Sequence, residues 1–400
     1  MKEDMKQAHA YSEGRKPRIL VLSPSGEVYD RDCVKWYDET QDQIRNNYFN
    51  IGDMVVYDST LKILDHEAVR GTIIDQRFKT EHKSFQSEIS DYKNGSFDYF
   101  LVRASNFIHN DMDWLQAIEV LEQVQLPVFA VGVGAQSSGR GVYKLTGKNL
   151  RFWQIVSERS NVIGVRGTFT ADVLAASGIR NVEIVGCPSM FRTRTRELNI
   201  QKPDHIARLA FSIRREVDET YSSNAVEYRR KQRDLLLQAA RMFDVTVSIH
   251  GEPEEKAFYY KDVAGMERAR AVFGHEQWFT DGSRAEMERL YREKLFFFLK
   301  VSEYDDFIKT QDFAVGYRVH GILPGLANGV PGVMVRYDSR SGELANTHAI
   351  PFIDIDAAEN INLQEVLDNV DFSEFNRVHR LRYDKMKFVL EANGLPHRLP

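Results

Sequence analysis

One stretch restricts the architecture more than any other: Ala314-Val-Gly-Tyr-Arg-Val-His-Gly-Ile-Leu-Pro-Gly-Leu-Ala-Asn-Gly-Val-Pro-Gly-Val-Met-Val-Arg-Tyr-Asp338. Ala314 to Tyr317 reads as a short buried strand, and Ile322 to Ala327 as a buried helix that accepts Pro324 only in its first turn. Asn328-Gly329 stops the helix and Pro331 reinforces the stop. Val333 to Val335 is the next strand. Each strand releases polar residues at its carboxyl end: Arg318 and His320 after the first, Arg336, Tyr337, Asp338 and Arg340 after the second. In open α/β sheets that edge is where ligands bind. Arginine offers a planar fork of donors to carboxylate or phosphate, and histidine exchanges a proton near neutral pH. Arg-x-His at a strand end therefore suggests anion handling coupled to proton transfer.

The rest of the chain repeats the unit. Strands are expected at Arg18–Ser23, Asp98–Arg103, Pro127–Val133, Val162–Val165 and Val182–Val185, then at Leu209–Ile213, Val245–Ile249 and Leu295–Val301. Helices are expected between them, among them Met112–Val124, Leu150–Arg159, Phe169–Ala176, Tyr228–Phe243 and Arg284–Lys294. Ser302, with Asp305 three residues on, is expected to cap the helix after Val301. Strand-helix alternation on both sides of a polar connector predicts an α/β fold with two Rossmann-like parallel sheets facing a cleft. The connector is Phe191 to Pro203, whose Arg192, Arg194 and Arg196 read as a solvated run. The expected organisation is a flexible tail over 1–17, an N-terminal Rossmann-like domain over 18–195, a C-terminal one over 196–370, and a helix over 371–400 packing across both. Gly132-Val-Gly-Ala-Gln136 is not a dinucleotide fingerprint, because Ser137 stands where the third glycine would be.

Composition removes several classes. A net charge of −5 argues against a dedicated nucleic-acid binder, so an anion must be recruited by local arginines. The two cysteines, Cys33 and Cys187, are too far apart for a metal motif or disulfide framework. Met1 to Pro17 lacks the apolar core of a signal peptide, and no apolar run nears the roughly 20 residues of a membrane span. The expectation is a cytoplasmic protein, at most peripherally associated with the inner face of a membrane.

Three sets of residues carry a resemblance. Arg318-Val-His-Gly, a small-residue helix, Gly329-Val-Pro, a strand and Tyr337-Asp338 resemble the C-terminal signature of polysaccharide pyruvyltransferases. Asn50-x-Gly-Asp53 and Ser212-x-Arg214 are similar to two further motifs of that family. The sequence departs from the pattern at Arg103-Ala-Ser-Asn106, where a glycine-rich turn is usual, and at Gly167 and Cys187, where acidic residues are usual.

The resemblance implies a glycosyltransferase-B-like arrangement. It implies transfer of pyruvate from phosphoenolpyruvate (PEP) onto a sugar of an exopolysaccharide or cell-surface glycan precursor, as a ketal. Arg214, Arg318, Val319 and His320 would bind PEP. His320 would act as general acid or assist the leaving phosphate, with Arg318 as its catalytic partner. Asn50, Gly52, Asp53, Asn106, Arg166, Ser189, His250, Arg336 and Tyr337 would line the acceptor side or the cleft. No metal and no cofactor is implied beyond PEP as donor, and the acceptor would be an oligosaccharide or lipid-linked glycan. Two other readings stay open: a nucleotide-sugar glycosyltransferase on the same architecture, and a diverged non-catalytic glycan binder. Trp278 and the tyrosines of 252–282 suit either sugar stacking or a small core.

Overall fold

The computed structural model describes residues 16–23, 51–73, 97–136, 141–217, 224–357 and 359–400. The expected tail up to Arg15, Cys33 and Asn50 lie outside the described residues.

Two parallel sheets organise the chain. In the N-terminal sheet, β1 (Arg18–Ser23), β2 (Ala68–Ile73), β3 (Tyr99–Val102) and β4 (Val128–Ala130) lie in the order β2-β1-β3-β4. β5 (Ile163–Val165) and β6 (Val182–Ile184) pair in parallel and join this sheet through the bridge Val133↔Val165. The C-terminal sheet comprises β7 (Arg208–Ser212), β8 (Asp244–Ser248), β9 (Leu295–Phe296), β10 (Phe313–Gly316), β11 (Gly332–Arg336) and β12 (Phe352–Asp354). Their order is β12-β11-β10-β7-β8-β9, parallel throughout. The chain moves outward from β7 to β9, then returns to β10 on the other flank of β7. The order therefore reverses between β7 and β10, and the crevice at that reversal is where such sheets bind ligands. The fold is thus α/β on two parallel sheets. Strands such as Phe313-Ala-Val-Gly are buried at every position, as helices on both faces require.

The helices that matter for the site follow strands. They are α1 (Gly52–Ile63), α2 (Leu115–Val124), α3 (Gly147–Arg159), α4 (Thr168–Ala176) and α5 (Ala225–Met242), then α6 (Pro253–Tyr259), α7 (Val263–His275), α8 (Arg284–Glu293) and α9 (Val301–Ile308). After these come α10 (Val319–Ala327), α11 (Ser339–His348), α12 (Leu363–Asn369) and α13 (Ser373–Ala392). α10 differs from the expectation, because Pro324 lies inside it and not in its first turn. The proline removes the amide that would have met the carbonyl of His320, one helical turn earlier. Gly316 and Gly321 let β10 and α10 close onto Ser212: a side chain at either position would collide with the Ser212 hydroxyl.

Three expectations need correction: the extent of β9, the cap of α9 and the solvation of Arg192. β9 ends at Phe296, short of Val301, which already belongs to α9; the N-cap of α9 is Lys300, so Ser302 lies inside the helix. The Glu303 carboxylate accepts from the amides of Leu299 (2.8 Å) and Lys300 (3.1 Å). Arg192 is not solvated. It is buried and donates to Asp305 Oδ1 (2.9 Å), Asp58 Oδ2 (2.9 Å) and Ser59 Oγ (2.6 Å). The basic start of α5 is also absorbed internally: Arg230 pairs with Glu227 and Asp234, and Lys231 donates to the Ile355 carbonyl (2.7 Å). Trp278 is a core residue, fully buried and donating to Tyr291 Oη (2.7 Å). Along α13, Arg382 donates to the carbonyls of Ile184 (2.9 Å) and Thr347 (3.0 Å), touching both halves of the chain.

Candidate functional site

The register of the C-terminal sheet puts the tips of β7 and β10 side by side, with Ser212 opposite Gly316. Arg214 and Arg318 each follow by two residues. Both are buried, and both reach Glu216: Arg318 Nη2 at 2.5 Å and Arg214 Nε at 3.6 Å from Oε1. Arg318 also pairs with Glu252 and donates from Nε to the Ile213 carbonyl (3.3 Å). Arg214 donates to Tyr337 Oη (2.5 Å), and its guanidinium lies 5.5 Å from the Tyr337 ring centroid. Its backbone is fixed as well: the amide donates to Gln232 Oε1 (2.6 Å), and the carbonyl accepts from Gln232 (2.9 Å) and Tyr228 (2.9 Å). Burial disfavours the Arg214 charge, but Tyr337 and Glu216 outweigh it and hold its pKa above the ordinary value. For Arg318 burial prevails and lowers the pKa.

His320 sits in the first turn of α10, half-buried, with Nε2 3.8 Å from Cys187 Sγ. Cys187 follows β6, so this contact joins the carboxyl ends of the two sheets. Burial, then the charges of Arg340, Arg166, Arg318 and Arg103, push the His320 pKa well below the usual imidazole value. The ring is neutral near pH 7, which fits a buried thiol beside it whose own pKa is raised by burial.

The N-terminal sheet supplies the other side of this junction. Arg166, just after β5, is buried and donates to Asn106 Oδ1, while Asn106 Nδ2 donates to Gln136 Oε1 (3.0 Å). Gly134 is required beneath it, since a Cβ there would lie 2.7 Å from the Arg166 guanidinium carbon. Arg166 Nε has no partner among the described residues, and burial lowers its pKa. Arg103 follows β3, donates to the Ala104 carbonyl (3.1 Å) and lies 5.7 Å from the ring centroids of both Tyr57 and Phe107. Burial brings its pKa down to about 9. Ser189 is buried 3.5 Å from Cys187 Sγ. Gly52 and Asp53 open α1, and the Asp53 charge acts on Arg166.

The departure at Gly167 has a physical explanation. A Cβ at Gly167 would lie 2.5 Å from Thr347 Oγ1 and in collision with Glu343 Cγ. Glu343, on α11, fills that space, and its carboxylate accepts from the Thr170 amide (2.8 Å) and hydroxyl (3.0 Å) at the start of α4. The space beside position 167 is thus filled by a carboxylate from the other half of the chain. Burial raises its pKa. At Cys187 the amide donates to His348 Nε2 (3.0 Å), and burial pushes the His348 pKa down to about 3.

Arg214, Arg318, Val319, His320, Tyr337 and His250 therefore follow the strand tips of the C-terminal sheet, and Gly52, Asp53, Asn106, Arg166 and Ser189 belong to the N-terminal half, which meets them where Cys187 contacts His320. Arg336 does not join them: it pairs with Asp354 and lies 4.2 Å from the Phe352 ring centroid, at the edge of the sheet. Sequence reasoning missed Arg103, Glu216, Glu252 and Glu343. Only Arg103 carried a signal, as a charge ending a buried strand.

Among the described residues no three His, Cys, Asp or Glu side chains are grouped to hold a metal ion, and no helix is long and apolar enough to cross a membrane. The chain matches the family profile described as polysaccharide pyruvyl transferase over residues 50–339. No curated protein matches it. Solved structures it is similar to include the UDP-GlcNAc 2-epimerase from Methanocaldococcus jannaschii, at 11% identity, covering 93% of this chain and 99% of that one with a TM-score of 0.47. A glycosyltransferase from Rickettsia africae is 10% identical, covering 96% and 95% with a TM-score of 0.42. The S. aureus MnaA structure with UDP is 13% identical, covering 91% of each chain with a TM-score of 0.42.

Proposed function

This chain belongs to the polysaccharide pyruvyl transferase family, and from that premise we propose that it transfers the pyruvate of PEP to a sugar of an exopolysaccharide or cell-surface glycan precursor as a ketal. The observation that carries the reading is the meeting of Arg214 and Arg318 at the tips of adjacent strands, with His320 one residue past Val319 on the same helix and facing the opposite sheet.

In this reading Arg214 and Arg318 receive the anionic groups of PEP, and Glu216 exchanges its place on Arg318 for the donor. A bound dianion beside His320 raises a pKa that burial and cations otherwise depress, so the imidazole takes up a proton as the donor arrives. His320 then protonates the methylene carbon of PEP, C2 becomes oxocarbenium-like, and the first sugar hydroxyl adds to it. The C2–O bond to phosphate breaks, phosphate leaves with its electron pair, and the second hydroxyl adds to the oxocarbenium centre so formed. One hydroxyl proton returns the imidazole to its charged state and the other leaves with phosphate. Asp53, Asn106, Arg166 and Ser189 form the acceptor side, and the acceptor is an oligosaccharide or lipid-linked glycan at the cytoplasmic face of a membrane.

Incubation with PEP and candidate oligosaccharides, following phosphate release and the ketal methyl signal by NMR, tests the reading. Phosphate without ketal contradicts it, as does thermal protection by nucleoside diphosphates and not by PEP. His320→Ala is expected to lower kcat by about 10²–10⁴-fold while leaving PEP protection in place.

A further inference from the structure

His250 follows β8 by two residues, as Arg214 follows β7, and the two strands pair in register with Ser212 opposite Ser248. The imidazole therefore emerges beside Arg214. Two residues further on, Glu252 pairs with Arg318. The backbone is fixed from the other half of the chain, because the Ile51 amide at the start of α1 donates to the His250 carbonyl (2.9 Å). The side chain is 1% exposed and meets the edge of Phe298 at 6.2 Å between centroids. Neither ring nitrogen has a hydrogen-bond partner among the described residues.

A buried imidazole with a donor and an acceptor both unmet is a cost that packing alone does not justify, since a leucine or phenylalanine would fill the same space without it. Its surroundings are His320 and the two guanidiniums, and burial first, then the charge of Arg318, holds the ring neutral. A neutral imidazole offers one N–H. Between two arginines, the group that such a donor meets is an oxyanion.

We propose that His250 is a donor-binding residue of this site, giving a hydrogen bond to an oxyanion of the small phosphorylated acid held by Arg214 and Arg318, and not part of the acceptor side. The inference rests on the PEP reading above. It also predicts a trade between stability and binding: removing the ring removes unmet polar groups and one ligand contact together.

The test compares wild type with His250→Phe and His250→Leu by calorimetric titration and thermal denaturation, using PEP, inorganic phosphate and pyruvate as separate probes. Both variants are expected to melt no lower than wild type. They are expected to bind PEP about tenfold or more weakly, as loss of a hydrogen bond to a charged group implies. Weakening toward phosphate places the bond on the phosphoryl group, and weakening toward pyruvate places it on the carboxylate. Unchanged PEP affinity in a folded variant overturns the role of His250 alone. A wild-type protein that does not bind PEP overturns the donor reading, and this inference with it.

Discussion

Arg192 and Arg166 are both buried arginines at the junction of the two sheets, yet they differ in what surrounds them. Arg192 faces two carboxylates, Asp58 and Asp305, from opposite halves of the chain. Burial works against its charge, but the two aspartates outweigh it and raise its pKa. Arg166 bonds the neutral Asn106, and burial lowers its pKa. The first arrangement is electrically complete and holds the halves together. The second leaves a cation whose nearby acids, Glu343 and Asp53, do not outweigh its burial, beside a neutral histidine, which suits a site whose anion comes from a substrate.

The sharpest break of this comparison is Arg192→Met. It takes the guanidinium away from buried Asp58 and part-buried Asp305, leaving them beside Lys62, and is expected to cost about 3–5 kcal/mol in denaturant unfolding, with PEP affinity unchanged where the protein remains folded. Arg166→Met is expected to do the reverse. Stability should hold, while kcat/KM falls by an amount equivalent to about 2–5 kcal/mol, the loss typical of one member of a buried charge pair formed on binding. If the two variants lose stability equally, the distinction between clasp and site fails.

A third measurement concerns Glu343. Gly167→Ala is expected to destabilise by about 1–3 kcal/mol through overpacking against it, and Gly167→Ala with Glu343→Ala should recover most of that loss. A double variant no better than the single would show that Glu343 is not what occupies the space.

The last effect is a slope. The His348 pKa drops from 6.5 to about 3 on folding. The unfolded chain therefore binds a proton that the folded chain refuses. This contribution is fully present above pH 6.5 and is lost as pH falls from 6.5 toward 3, at about 1.4 kcal/mol per pH unit. His348→Asn should flatten the acid limb of stability by close to that amount, and an unchanged limb would place the proton elsewhere.

The C-terminal half of the architecture was legible from sequence because β10, α10 and β11 are buried runs punctuated by Gly and Pro. Helix and strand periods need only neighbours, and Arg18–Ser23 was read without error for that reason. The carboxylates were not legible. Glu216 and Glu252 meet Arg318 from 102 and 66 residues away in the chain, and Asp58 meets Arg192 from 134. Nothing in local spacing announces such pairs. Arg192 was read as a solvated charge because its local neighbours are polar. Its burial depends on α1 and α9 closing over it, which is a property of the assembled fold.

The collision between position 167 and Glu343 carries an evolutionary corollary. The two positions compete for one volume, so a homologue that restores an aspartate at the first must have shortened the second. Neither replacement is accessible alone without a crowded intermediate. Lineages should therefore segregate into two sequence types with few mixed forms, and a survey of that one pair would separate descendants of this arrangement from the rest of the family.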